Sequence, residues 1–490
     1  MDELLALATR PWDATWHDAA AAAFKAIFGG GGGRFERVAE NSVSIRAPFL
    51  APPESVPFAA LIHPSNPTSG GYTGMSVVLF PRTDGPSLLA MVVGTQGLGE
   101  DAYLLGKPGH ARKAASICKW LNREYGRGEM IAWAKSDPTR IDQSVPDEIK
   151  SAFAAHRAAL DRYGREIYAL AAMPEGAPTA ARAALAAFLD LNFEERGFRP
   201  LKASQAEAAA IRRGYQSLAM PDLDVMAAKT LLESRRFVII EGPPGTGKTR
   251  LAGILAETHY PGRSMTIQFH PNTTYESFIG GLAPVHSGDG VGLQFVPRPG
   301  ALMEAAKRAA DDPSTPYLLH IDEINRADLA KVLGEAVYLL EPDVDVPRVV
   351  SLPHEFPEPF GAKLSLPTNL HLLGTMNSAD RSIAILDVAI RRRFAFVKLW
   401  PQPRVVTDLG GEVMQEAFEK LLRIFMEHAQ DDAFGLMPGH SYFLRDNDDA
   451  PTALRVSLLP LLEEYLAQGY VPGFAEDIRA YAQWVESLRN

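Results

Sequence analysis

The sequence predicts an α/β core with a parallel sheet, followed by a helical lid and preceded by a separate α+β module. Three observations carry this. From 236 to about 400, apolar strand-like runs alternate with helical segments, the pattern of a parallel sheet covered on both faces. Near its start an apolar run, 238–240, leads through a glycine-rich turn into a helical run at 250–257. After about 401 the chain turns helical, with candidates at 412–429, 452–468 and 474–489. The expected boundaries are 1–130 for an N-terminal α+β domain, 131–200 for a helical linker, 201–400 for the core and 401–490 for the lid.

Composition sets limits on function. The 490 residues carry a net charge of −10, which argues against a nucleic-acid-binding surface along the whole chain but leaves room for a local basic groove. Cys118 is the only cysteine, so no disulfide forms within the chain, as expected in a reducing compartment. The N-terminus begins acidic and lacks the charged region of a signal peptide, and no apolar run approaches membrane-spanning length. A cytoplasmic protein with no membrane contact is expected.

Taken in order, residues 16–28 have helical spacing and run into the glycines at 29–33, which read as a hinge or mobile loop. A hairpin is expected from 74–80, a turn at 81–86, and 87–93. A helix is expected at 111–125. Acids and bases balance in the first 120 residues, ten of each, so this module has no bulk signature of a DNA reader. Two alanine-rich stretches, 148–171 and 178–192, read as long helices. Glu148 and Lys150 echo the end of a nuclease motif, but no acidic residue sits on a preceding strand, and a solvated helix face is the better reading.

The chemistry concentrates in the core. Gly242-Pro243-Pro244-Gly245-Thr246-Gly247-Lys248-Thr249, between strand and helix, is a phosphate-binding loop. Gly242, Gly245 and Gly247 let the backbone curl with its N–H groups inward. Lys248 is placed to reach the β- and γ-phosphates, and the Thr249 hydroxyl to ligate Mg²⁺. The apolar strand at 317–321 ends in Asp322 and Glu323, assigned to the metal and to the attacking water respectively. The next strand, 370–375, ends in Met376 and Asn377, whose amide suits a water or the γ-phosphate and should lie between the strands carrying loop and carboxylates. Arg391, Arg392 and Arg393 close a helix that begins near Ala384, and at least one is expected to reach a neighbouring subunit's nucleotide. No Cys/His cluster has zinc spacing, so Mg²⁺ is the only metal implied.

With these parts in order, the chain from about 200 to 490 resembles the McrB-like AAA+ NTPases, motor subunits of methylation-dependent restriction systems and part of the dynein-related AAA subgroup. The stretches that carry the resemblance are 269–284, 321–341, Gly374-Thr-Met-Asn-Ser-Ala-Asp-Arg-Ser382, and Pro438-Gly-His-Ser-Tyr-Phe443 with 459–465. The third is close to the M-N-T-x-D-R signature of the group, with Ser378 in the Thr position. The resemblance implies a ring, a hexamer, hydrolysing GTP or ATP at subunit interfaces. It places Asn377 and Asp380 near the active site, in stimulation by a partner. It implies a separate McrC-like nuclease subunit, and DNA reached through that partner or the N-terminal domain. The loop reads phosphates rather than the base, so ATP and GTP both stay open. His440 reads as lid packing, with nucleotide contact as the alternative. The rival reading is a MoxR or dynein-related ATPase that remodels protein complexes; a non-catalytic scaffold is disfavoured by Lys248, Asp322 and Glu323.

Overall fold

The structure, a computed structural model, describes residues 1–52, 54–286, 293–341, 348–379 and 388–488. They form two compact units, Met1–Met220 with Phe425–Gln430, and Pro221–Ile424 with Asp431–Asn490.

The first unit is built on an antiparallel sheet of β1 (Ser44–Arg46), β2 (Ala59–Ile62), β3 (Met75–Arg82), β4 (Gly85–Val93), β5 (Ala132–Ala134) and β6 (Ile167–Ala172), ordered β1-β2-β3-β4-β6-β5. The expected hairpin is β3–β4. Alternation along it feeds two cores. Val77, Leu79, Leu89 and Met91 join a cluster with Trp16, Phe24, Leu121 and Phe188 from the flanking helices, and Val78, Phe80, Leu88 and Val92 face Phe153 and Leu160 on the other side.

Two expectations need correction here. Residues 148–171 are not one helix. Asp147–Ala152 and Arg157–Tyr163 are short helices, and Ile167–Ala172 is strand β6, paired between β4 and β5. Alanine favours helix locally, but the sheet offers β6 two partners and near-complete burial, and tertiary pairing overrides propensity. The unit therefore includes all of 131–200, which the sequence set apart as a linker. Glu148 and Lys150 lie on the first of these short helices, Glu148 exposed and Lys150 paired with Asp147 and Asp161. The glycines at 29–33 form a packed turn rather than an open hinge. Gly29 N donates to Phe35 O at 2.8 Å, and a Cβ at Gly33 would lie 2.1 Å from Gly29 O.

The second unit holds β7 (Phe237–Gly242), β8 (Ser264–Gln268), β9 (Gly280–His286), β10 (Leu293–Pro299), β11 (Tyr317–Asp322), β12 (Val349–Phe356), β13 (Gly361–Ser365), β14 (Leu370–Asn377) and β15 (Ala395–Lys398). Five of them make a parallel sheet in the order β15-β7-β14-β11-β8. Phe237 to Ile240 are fully buried, as a strand covered on both faces must be. Phe237 and Ile239 pack with Leu319, Ile321 and Leu372, while Val238 and Ile240 pack with Ala252, Leu255, Leu318 and Leu373. Hairpins β9–β10 and β12–β13 are inserted between the sheet strands.

The C-terminal helices include Glu412–His428, Leu459–Ala467 and Ala475–Ser487. The helix expected over 452–468 is interrupted by a π turn, Leu454–Leu458, just before Pro460. Proline has no N–H to give the preceding turn, and wider hydrogen-bond spacing absorbs the gap. No described helix is long and apolar enough to cross a membrane.

His371, the second residue of β14, is buried, with Nδ1 2.7 Å from the Tyr260 hydroxyl. Burial, helped by nearby Arg236, lowers its pKa to about 4. In the unfolded chain it titrates near 6.5, so between about pH 6.5 and 4 the unfolded state binds the extra proton and stability falls as pH falls. Denaturant unfolding of wild type should lose about 2 kcal/mol between pH 7.5 and 5 beyond the loss in a His371→Gln variant. Equal pH slopes in the two proteins would contradict this.

Candidate active site

The loop leaves β7 at Gly242 and enters helix Lys248–His259. Gly245 and Gly247 both have φ +81°, a conformation that L side chains rarely adopt, and Gly247 caps the helix N-terminus. Thr246 is buried and its hydroxyl donates to Pro243 O at 3.0 Å, closing the turn. Lys248 Nζ folds back over the loop, donating to Gly242 O at 2.9 Å and Pro243 O at 3.0 Å. Burial depresses its pKa to about 8, against the opposing pull of Glu323 and Asp322. A half-desolvated ammonium at a helix N-terminus is poised for a polyanion.

The carboxylates arrive on β11. Because β14 lies between β7 and β11, the C-terminal ends of the three strands converge. Asp322 Oδ1 accepts from Thr249 Oγ1 at 3.1 Å and from the Thr375 hydroxyl on β14. Glu323 follows in a left-handed conformation, φ 53°, unusual for a glutamate. That turn sends Ile324 into the core. Glu323 Oε2 lies 3.3 Å from Arg326 Nε, yet it is buried and lacks a hydrogen-bond partner. Asn377 pairs in register with Gly242 at the head of the loop. Its Oδ1 accepts from Ala379 N at 3.1 Å, a turn-type bond that leaves Nδ2 as the donor end of the amide.

The sequence reading passed over several contributors. Thr375 anchors Asp322, and its polar side chain just after the apolar run Leu372-Leu373-Gly374 was the signal. Asn325 is buried behind Glu323, with Nδ2 3.5 Å from Asn377 O and Oδ1 unpartnered. Ser378 N donates to Gly242 O and Ser378 Oγ to Gly435 O, both at 3.0 Å, linking strand end, loop and lid.

The lid contact is close. Gly439 N donates to Pro244 O at 2.9 Å and Ser441 N to Gly245 O at 3.0 Å. A Cβ at Gly439 would lie 2.0 Å from the carbonyl carbon of Gly245, so only glycine fits. His440 is half-buried and Gln402 N donates to its Nδ1 at 3.2 Å; burial lowers its pKa, with Arg250 acting in the same direction. Its Nε2 lies 3.8 Å from where a Cβ on Gly247 would be, so the ring borders the loop.

The arginines separate. Arg391 and Arg392 are exposed, with the Arg391 guanidinium 5.4 Å from the Phe396 ring centroid, and Arg393 is buried. The start of their helix near Ala384 and the side chain of Asp380 lie outside the described residues, the helix being described over Val388–Arg391.

These residues fit a hard divalent cation. The Thr249 hydroxyl and the Asp322 carboxylate already touch where one would sit, and Mg²⁺ is commonly held by one or two protein oxygens plus substrate phosphates.

Residues 237–394 match the AAA domain family, dynein-related subfamily. The chain is 31% identical over 308 residues to the type IV methyl-directed restriction enzyme EcoKMcrB subunit of Escherichia coli K12, a match covering 58% of this chain and 64% of that protein. It is 30% identical over 199 residues to the type II restriction enzyme BsuMI component YdiS of Bacillus subtilis 168, covering 32% of this chain and 55% of that one. The matches thus span less than two thirds of either relative's length.

Gly439→Ala should strain the loop–lid junction by about 1–3 kcal/mol, lowering Tm and weakening binding of a fluorescent triphosphate analogue. Gly253→Ala, in the loop helix with open space around it, serves as the control and should retain binding. Unchanged Tm and binding in Gly439→Ala would show the contact to be dispensable.

Proposed function

We propose that this McrB-like chain, whose residues 237–394 are a dynein-related AAA domain, is a nucleoside-triphosphatase motor of a DNA restriction system. It works as a ring, a hexamer, using ATP or GTP, beside a separate McrC-like nuclease subunit, with the N-terminal unit recognising the target. The observation that supports hydrolysis best is Glu323, whose Oε2 is buried, takes no hydrogen bond and lies 3.3 Å from Arg326 Nε, next to the Thr249–Asp322–Thr375 cluster. The restriction setting draws on the two relatives, both described as restriction-enzyme components.

The residues divide the work. Backbone N–H groups of 242–249 cradle the phosphates, and Lys248 exchanges its carbonyl partners for the β- and γ-oxygens. Thr249 and Asp322 would hold Mg²⁺, with Thr375 fixing the carboxylate's rotamer. Mg²⁺, when bound, neutralises charge on the phosphate oxygens. Glu323 takes a proton from the attacking water, and Asn377 Nδ2 orients that water or the γ-phosphate. Asp380 lies beside Asn377 in sequence and couples the site to the partner. Exposed Arg391 and Arg392 are the better candidates to reach a neighbouring subunit's phosphate, and buried Arg393 the one that serves its own subunit.

Glu323→Gln should retain nucleotide binding while turnover falls by about 10²-fold or more; near-normal turnover would remove the water-activating role. Mixing Arg391→Ala or Arg392→Ala subunits with Lys248→Ala subunits should restore part of the hydrolysis, and no rescue with either would exclude action in trans. For the biological setting, hydrolysis should rise with DNA and cleavage should require an added McrC-like nuclease. Hydrolysis indifferent to DNA but raised by a protein client would favour a remodelling ATPase instead.

A further inference from the structure

The first unit contains a short piece of chain from far downstream, Phe425–Gln430, among residues otherwise drawn from Met1–Met220. That piece is the last turn of the helix Glu412–His428 and the two residues after it.

The start of the helix Pro108–Tyr125 holds it. Arg112 Nη1 donates to Met426 O at 2.9 Å and to Phe425 O at 3.4 Å, and Arg112 Nη2 donates to Ala429 O. The last carbonyls of a helix have no partner within it, so this guanidinium meets a need the helix cannot meet itself. Gly109 lets the two backbones approach, since a Cβ there would lie 2.4 Å from Glu427 O. Buried Lys113 donates to both carboxylate oxygens of Glu427, at 2.9 and 2.8 Å, and pairs with Glu195 at 2.5 Å. Glu195 in turn lies 3.3 Å from His110 Nδ1, and His110 Nε2 lies 3.0 Å from the Tyr168 hydroxyl on β6.

The hold can be released without stranding a charge. Burial opposes the Lys113 ammonium, but Glu195 and Glu427 together outweigh it and raise its pKa above lysine's usual value. The Glu195 side chain is 2% exposed and that of Glu427 27%. If Glu427 leaves, Lys113 keeps a buried partner and Glu427 returns to water, which avoids the heavy cost of an unpaired buried ion.

Both sides of the held turn lead to the glycine-rich loop. Upstream runs one helix of 17 residues, about 25 Å long. Its Phe418 meets the Phe443 ring edge-on, with centroids 5.2 Å apart. Phe443 ends the stretch whose Gly439 and Ser441 donate to Pro244 O and Gly245 O. Downstream, the chain comes first to Gly435, whose carbonyl accepts from Ser378 Oγ at 3.0 Å beside Asn377, and then to Gly439 itself. Residues 425–441 are thus pinned at one end within the first unit and at the other on the loop.

We propose that the turn at 425–430 is a coupling joint: the first unit's hold on it favours the lid seated on the loop, so triphosphate binding tightens the hold and loss of the hold weakens triphosphate binding. The two effects are one coupling free energy read from either end. The joint rests on the loop binding a triphosphate, as proposed above, and needs neither DNA nor a nuclease.

The test follows amide hydrogen exchange in the full-length chain, with and without a non-hydrolysable analogue of ATP or of GTP. The analogue should slow exchange at 242–249 and also at 425–430, and should do neither in Lys248→Ala. Glu427→Gln and Arg112→Gln should each weaken analogue binding about fivefold or more. Arg123→Gln, exposed near the other end of the same helix, should leave it unchanged. Exchange in the β3–β4 hairpin reports whether the first unit of each variant is folded, and the wild-type exchange pattern decides the matter even where a variant is not. Protection at 242–249 with none at 425–430 overturns the joint, and so does wild-type affinity in both folded variants. Absence of protection at both segments removes the triphosphate site itself, and the joint with it.

Discussion

The core of the second unit depends on one carboxylate being reached from two sides. Asp322 is carried by β11, and its Oδ1 accepts from Thr249 at the start of the loop helix and from Thr375 on β14. Inserting β14 between β7 and β11 sets the spacing, and parallel pairing brings all three polar ends to one edge of the sheet. The apolar runs of the strands thus have two consequences. They bury both faces of the sheet, and they fix in register the groups that follow each run: Gly242 after β7's core, Asp322 at the end of β11, Asn377 at the end of β14. Packing supplies the alignment that the chemistry then uses.

Much of this core was legible in the sequence because its signals are local. A strand, a glycine turn and a lysine–threonine pair can be read in one window, and so can a run of aliphatics ending in Asp322-Glu323. The place of Asn377 between loop and carboxylates followed from the order of the parts, and the sheet has that order. What escaped was set by distant partners. Ile167–Ala172 is rich in alanine and only its neighbours β4 and β5 make it a strand. Gly439 is a glycine because of Gly245, nearly 200 positions away, a contact that no local pattern encodes. Asn325 and Thr375 escaped for a related reason: a single polar residue beside a strand has many uses, and only the tertiary contact selects one. The three arginines read alike in sequence, and burial alone separates Arg393 from the other two.

The lid contact has a consequence for the loop's electrostatics. Gly439 and Ser441 donate to the outward carbonyls of Pro244 and Gly245, and every peptide whose carbonyl is held outward has its partner dipole set on the other side. These carbonyls lie at a crowded junction where stripping a hydrogen bond without a replacement costs on the order of 1–3 kcal/mol per group. The direction of the loop's peptide dipoles and the position of the lid are therefore one coordinate rather than two. Moving the lid away from Pro244 and Gly245 would release those two carbonyls, and with them the fixed direction of the loop's peptides.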